Sequence, residues 1–101
     1  MLFLYHLDVE FEFDPQKNET NKEKHSIDFE TVKKLWAGFS VEFAVEHPIE
    51  NRFAIIGKIE GKFYTAIYTL REERIRIISC RRSRTKEIKL YEKNFQKTKN
   101  T

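Results

Sequence analysis

From Ser40 to Cys80 the chain reads as one strand after another, and this constrains the fold more than anything else in it. Four runs rich in β-branched and aromatic residues follow in series: SVEFAVE (40–46), NRFAIIGKIEG (51–61), KFYTAIYTL (62–70) and REERIRIISC (71–80). Such runs, bounded by turn residues, are strands. Glu60-Gly61 is a two-residue hairpin signal between the second and third, and a Leu70-Arg71-Glu72 corner separates the third from the fourth. In FYTAIYTL both parities are largely apolar, which predicts a central strand covered on both faces. The expectation is a four-strand antiparallel meander.

What precedes the meander alternates and then turns polar. Val9, Phe11 and Phe13 share one parity and Glu10 and Glu12 the other, the pattern of a half-buried strand within residues 2–13. Asp14 can cap a helix with Pro15 at its first position, where the missing N–H costs nothing. That helix, polar and solvent-facing, runs to about Lys24. Asp28 is a second N-cap, with Ile27 placed to staple against Val32. Phe29, Val32, Leu35 and Trp36 then recur at helical spacing and Gly38 supplies a stop. Ser83 is read as the cap of a last helix, RTKEIKLYEKNF, with Ile88, Tyr91 and Phe95 on one side. The predicted fold class is α+β: two N-terminal helices and a C-terminal helix on one face of a curved, mostly antiparallel sheet of four to five strands. Residues 1–96 form a single domain and 97–101 a frayed polar tail.

Charge narrows the partners. Of 101 residues 35% are charged, with no long single-sign block, so global disorder is not expected. The net charge of +3 hides an asymmetry. Residues 1–70 hold 8 Lys/Arg against 12 Asp/Glu, and residues 71–101 hold 11 against 4. A basic C-terminal third points to a polyanion or an acidic protein as partner. The single cysteine, Cys80, excludes an internal disulfide and fits a reducing compartment, and its apolar surroundings suit a small buried residue rather than a nucleophile. His6, His25 and His47 lack metal-site spacing, so neither metal nor cofactor is expected. The opening MLFLYHLDVEF is too short for a membrane span and lacks the features of a signal peptide. A cytoplasmic protein without membrane contact is expected.

Three polar clusters stand out: Lys24-His25 at the junction of the first two helices, Glu50 and Arg52 at the entrance to RFAII, and Arg81-Arg82 where the last strand meets the last helix. By strand parity Arg81 continues the side of Ile75, Ile77 and Ser79, and Arg82 falls opposite. Each has a plainer reading. Lys24 complements a helix dipole, His25 hydrogen-bonds within a turn, Glu50 and Arg52 make an exposed ion pair, and Tyr91 is a core aromatic. Composition and spacing alone support a basic α+β domain that binds anions.

The stretch FEFDPQKNETNKEKHSIDFE resembles the N-terminal signature of the BrnT family, toxins of type II toxin–antitoxin modules. Phe11, Glu12, Phe13, Asp14, Pro15, Lys17, Asn21, Lys24, His25, Phe29 and Glu30 carry it. The resemblance continues through ENRFAIIG and RIRIISCRRSRTKEIKLYE, where an Arg-Ile-Ile-Ser-x-Arg-Arg run leads into a Tyr-bearing helix. Two positions depart: Ser26 stands where the family often has Gly, and Phe13 where Trp is more usual.

The resemblance implies a RelE-like fold and a ribonuclease that slows translation, neutralised by a BrnA-type antitoxin. It also implies a toxin monomeric by itself and heterotetrameric with its antitoxin, reaching DNA only through that complex. Metal-free RNA cleavage needs a base, cations for the developing phosphorane charge and an acid. Arg52, Arg81 and Arg82 suit the cationic role. Lys24 or Glu50 would be the base, His25 a proton shuttle and Tyr91 a candidate acid. RNA contacts would come from Lys24, Arg52, Arg81, Arg82, Arg84 and Lys86. The alternative is a non-catalytic basic module docking an acidic protein or nucleic acid through RRSRTKEIK and Lys93, Lys97 and Lys99, with affinity falling steeply in salt.

Overall fold

A computed structural model describes residues 9–99. The first strand expected within 2–13 is therefore seen only as β1 (Phe11–Glu12); its earlier part lies outside the described residues. Helix α1 (Pro15–His25) follows, then α2 (Phe29–Val32), which tightens into a 3₁₀ turn over Lys33–Trp36. The meander is β2 (Ser40–Val45), β3 (Arg52–Ile59), β4 (Lys62–Arg71) and β5 (Arg74–Arg82), and α3 (Thr85–Lys99) closes the chain. Among the described residues no helix is long and apolar enough to cross a membrane.

The five strands form one sheet in the order β1-β5-β4-β3-β2. The meander is antiparallel throughout, whereas β1 lies parallel to β5 with Phe11 opposite Ile75. The two hairpins differ in their chemistry. At the first, Glu60 (φ 50°) and Gly61 (φ 80°) both take left-handed conformations, as a type I′ turn requires. The second falls one residue later than the sequence corner suggested: Glu72 (φ 51°) and Glu73 (φ 69°) hold the same conformation with no glycine to relieve it.

The N-terminal caps form as expected. Asp14 accepts the Gln16 N–H at 2.8 Å with Pro15 next to it, and Asp28 accepts that of Thr31 at 2.8 Å. Phe29, Val32, Leu35 and Trp36 are all buried and pack with Ile55, Ile59, Ala66, Tyr68, Ile75, Ile77 and Cys80. Burying each such side chain stabilises the fold by about 1.5–3 kcal/mol. Ile27 and Val32, the predicted staple, are buried together. Helix α1 ends on Ser26 in a left-handed conformation (φ 60°), its N–H bonded to the Lys22 carbonyl.

Three expectations need correction. The helices do not share one face. Ala66 and Tyr68 of β4 point into the core under α2, so the alternating Phe63 and Thr65 face the other way, where Phe63 meets Tyr91 and Thr65 meets Glu87 of α3. Ser83 does not cap α3. Its hydroxyl pairs with Thr65 Oγ1 at 2.8 Å, and the Arg84 carbonyl accepts the first helical bonds. Glu87 then reaches back to the Arg84 N–H at 2.8 Å, the reciprocal half of a capping box. Finally, α3 continues to Lys99, through the first part of the stretch read as a tail.

Candidate functional site

The polar ribbon of α1 does more than face solvent. Asn18 Oδ1 accepts the Phe29 N–H at 2.7 Å and so holds the start of α2. Asn21 is buried and works at both ends: Nδ2 donates to the Ile27 carbonyl at 3.1 Å, and Oδ1 accepts the Cys80 N–H at 3.0 Å. Because β1 pairs with β5 only at Ile75 and Arg76, the outer edge of β5 beyond them is open, and Asn21 satisfies one of its backbone donors. This seats α1 along that edge. A hollow of about 230 Å³ opens there, lined by Lys17, Thr20, Lys24, His25 and, from β5, Ile78 and Ser79.

The register of β5 contains an irregularity that redirects its side chains. Ile67 pairs with Ser79 but Tyr68 pairs with Ile77, so Ile78 is an extra residue. Ile75 and Ile77 point into the core, and after the bulge Cys80 does too. Ser79 and Arg81 therefore turn to the α3 face, and so does Arg76 ahead of the bulge. The expectation that Arg81 shares the side of Ile75 and Ile77 is overturned by this extra residue. That Arg81 and Arg82 point to opposite faces stands. Arg82 lies 5.7 Å over the Tyr64 ring on the core side of the sheet, away from α3.

On the α3 face one rung crosses the sheet as Val45, Arg52, Thr69, Arg76 and Glu12. With strands about 4.8 Å apart, the Cα atoms of Arg52 and Arg76 are about 10 Å from one another. Each guanidinium has a carboxylate partner. Arg52 Nε bonds Glu50 at 2.9 Å, and Arg76 bonds Glu12 at 2.8 Å. The Arg52 hydrogen bond holds Glu50 below the usual carboxylate range, helped by the charges of His47 and Arg71, and the Arg76 hydrogen bond does the same to Glu12. Thr69, between the arginines, donates its hydroxyl to the Asn51 carbonyl at 2.6 Å and so pins the loop that carries Glu50.

Arg81 faces this side but is committed to a structural pair. Its two terminal nitrogens meet both oxygens of Glu87 at 2.9 and 2.7 Å, and Glu87 also accepts from Thr65 at 3.0 Å. The guanidinium pulls the Glu87 carboxyl down to about 2. This fork ties the start of α3 to β5. Tyr91 is buried in a second aromatic cluster with Phe39, Phe63 and Phe95, and burial raises its hydroxyl above the ordinary phenol range, which makes it a poorer proton donor. Arg84 and Lys86 are exposed beside the first turn of α3. Cys80 is fully buried and its thiol is pushed up to about 12, as expected of a packing residue.

The chain therefore brings Lys24 and His25 to the edge of β5, with Ser79 in their hollow and Arg76 and Arg81 flanking Ser79 on its strand. Glu50 and Arg52 stand across the same sheet face, and Arg82 does not join them. Arg76 was missed by the sequence reading, although it heads the Arg-Ile-Ile-Ser run that carried the resemblance.

Residues 13–87 match the model of a family described as the ribonuclease toxin, BrnT, of type II toxin–antitoxin systems. The chain belongs to the BrnT family. The matched span holds Lys24, His25, Glu50, Arg52, Arg76, Arg81 and Arg82, and leaves Glu12 and Tyr91 outside. The expectation of a BrnT toxin, by its family description a ribonuclease with an antitoxin partner, is thereby met. A search of curated proteins returned no match.

Proposed function

We propose that this BrnT protein is an endoribonuclease that cleaves RNA without a metal on the α3 face of the sheet, in the half that α3 leaves open. The rung carrying Arg52 and Arg76 supports this reading best. Two planar guanidinium groups about 10 Å apart at their Cα atoms can converge on one phosphodiester, and each can grip two oxygens. Glu12 and Glu50 hold the arginines in place in the free protein and are exchanged for phosphate oxygens when RNA binds. Lys24 and His25 supply the proton-transfer groups from the β5 edge. Glu50 is the second candidate base, ionised at neutral pH and lying against Arg52. Arg81 shapes the floor through Glu87, and Arg84 and Lys86 extend the track for the RNA backbone. The toxin acts in the cytoplasm by depleting RNA needed for translation, and a BrnA-type antitoxin neutralises it by covering this face.

The test uses the purified full chain and a labelled RNA in EDTA. Cleavage that persists in EDTA and falls by at least 100-fold in Arg52→Ala and in Arg76→Ala supports the proposal. Undiminished cleavage in both variants, or activity that requires an added divalent ion, refutes it.

A further inference from the structure

Beside the arginine rung, on its α3 side, a second rung crosses the sheet as Phe43, Ala54, Ile67 and Ser79. Ile67 has the parity of Thr65 and Thr69 on β4, and residues directly opposite one another share a face. Phe43 therefore projects from the same face as Arg52. It lies one strand over and two residues along, which puts the two Cα atoms about 8 Å apart.

Phe43 is set apart from its counterparts by its packing. Every other described phenylalanine has an aromatic ring against it. Among the described residues no ring packs on Phe43, and it is 38% exposed. Cations stand on both sides of it along the strand. Arg52 is one. The other is Lys97 of α3, which lines a groove of about 470 Å³ with Ser40, Val41, Glu42 and Asn94. The Glu42 carboxylate does not oppose them at the ring, because it accepts a hydrogen bond from the Tyr68 hydroxyl on the other face.

We infer that Phe43 is a stacking platform for one unpaired base of the RNA, that of the nucleotide whose phosphate Arg52 holds, so that the substrate is single-stranded. This rests on the nuclease reading above and names the form of RNA that the site takes. An open aromatic ring beside phosphate-binding cations is the arrangement by which proteins hold single strands, and the ring accepts any base on its π-face. The ribose between base and phosphate bridges the gap from Phe43 to Arg52. In a duplex the bases are stacked on one another, so a paired strand can bring phosphates to Arg52 and Arg76 but no base to Phe43. Ala54 and Ile67, which continue the rung, carry no hydrogen-bonding side chain. The platform therefore selects an unpaired nucleotide rather than a particular base.

The probe is a short 2′-O-methyl RNA, which lacks the attacking hydroxyl and stays intact. It is titrated into the purified full chain as a single strand and as a duplex with its complement. Phe43→Ala and Phe43→Leu should each weaken single-strand binding at least about fivefold, the lower end of what one stacked base contributes, and leave duplex binding unchanged. Phe43→Trp should bind as tightly as the native chain. Its fluorescence should be quenched by the single strand alone, Trp36 being buried. In cleavage assays the Phe43→Ala loss should fall on KM more than on kcat, and thermal melts check that each variant folds. Single-strand binding left at the native level by Phe43→Ala or Phe43→Leu, or an equal loss with the duplex, overturns the inference. So does an effect confined to binding of the antitoxin. Binding through Phe43 without any cleavage would refute the nuclease and keep the platform. Arg52-dependent cleavage indifferent to Phe43→Ala would refute the platform and keep the nuclease, and a chain that binds no RNA would refute both.

Discussion

Arg52 and Arg76 stand two strands apart on one rung of the sheet, with only Thr69 between them, and each guanidinium lies against a carboxylate from its own end of the rung. Arg82, in the same sequence motif as Arg76, points to the other face. The expected outcome of alanine scanning is therefore uneven. Arg52→Ala and Arg76→Ala should each lower RNA cleavage by about 100- to 1,000-fold, the scale of losing one preorganised charge donor at a developing anion. Arg82→Ala should cost less than about threefold, since a surface cation adds only one phosphate contact. Initial rates on one RNA, with circular dichroism as a folding control, decide between these outcomes.

Glu87 holds Arg81, Thr65 and the Arg84 N–H at once. Its carboxyl titrates near 2 in the folded chain, against an ordinary value near 4.5. A depressed folded-state value means that the stabilisation is complete above the unfolded value and fades as pH falls from about 4.5 towards 2. Glu87→Gln should destabilise the protein at neutral pH by about 1.5–3 kcal/mol, the range for a hydrogen-bonded charged group. The variant should also lose part of the acid-dependent decline. Urea titrations at pH 7 and pH 3 test both statements.

Asn21→Ala should cost about 2–4 kcal/mol. It leaves the Cys80 N–H and the Ile27 carbonyl buried without partners, each a penalty of about 1–2 kcal/mol. Asn21→Asp keeps the acceptor for the Cys80 N–H but buries a carboxylate against the Ile27 carbonyl oxygen, so it should destabilise the chain at neutral pH at least as much as alanine does. Hydrogen exchange at the Cys80 amide should accelerate in the alanine variant ahead of the rest of β5.

Two variants should be more stable than the native chain. Ser26→Gly removes the left-handed strain at the end of α1, worth about 1–2 kcal/mol, and gives back about 0.5–1 kcal/mol in unfolded-state entropy. Glu72→Asn with Glu73→Gly installs the preferred type I′ pair in a turn now held by two glutamates. Thermal melts should rise in both, and a melt unchanged by the double substitution would show that this hairpin carries no strain.

The elements of this fold were legible because local chemistry agreed with them: Asp14-Pro15, Asp28, Glu60-Gly61 and the Phe29–Trp36 stripe each acted as read. The site was legible only in part. Lys24-His25 and Glu50–Arg52 could be picked out by residue type, and the family resemblance gave them a common purpose. The commitment of Arg81 to Glu87 could not be read, since it depends on where α3 leaves the sheet. Nor could the role of Arg76, which becomes a neighbour of Arg52 only through strand register. Strand parity also misplaced Arg81, because an extra residue inside an all-apolar stretch such as Ile77-Ile78 leaves no mark in the hydrophobic pattern.

That extra residue sets the phase of everything after it. Were Ile78 instead taken into the regular ladder opposite Ile67, Ser79 would turn into the place of Cys80, Arg81 into that of Arg82, and the other of the two adjacent arginines would face α3. In this chain the direction in which two adjacent arginines face is set by a single unpaired isoleucine.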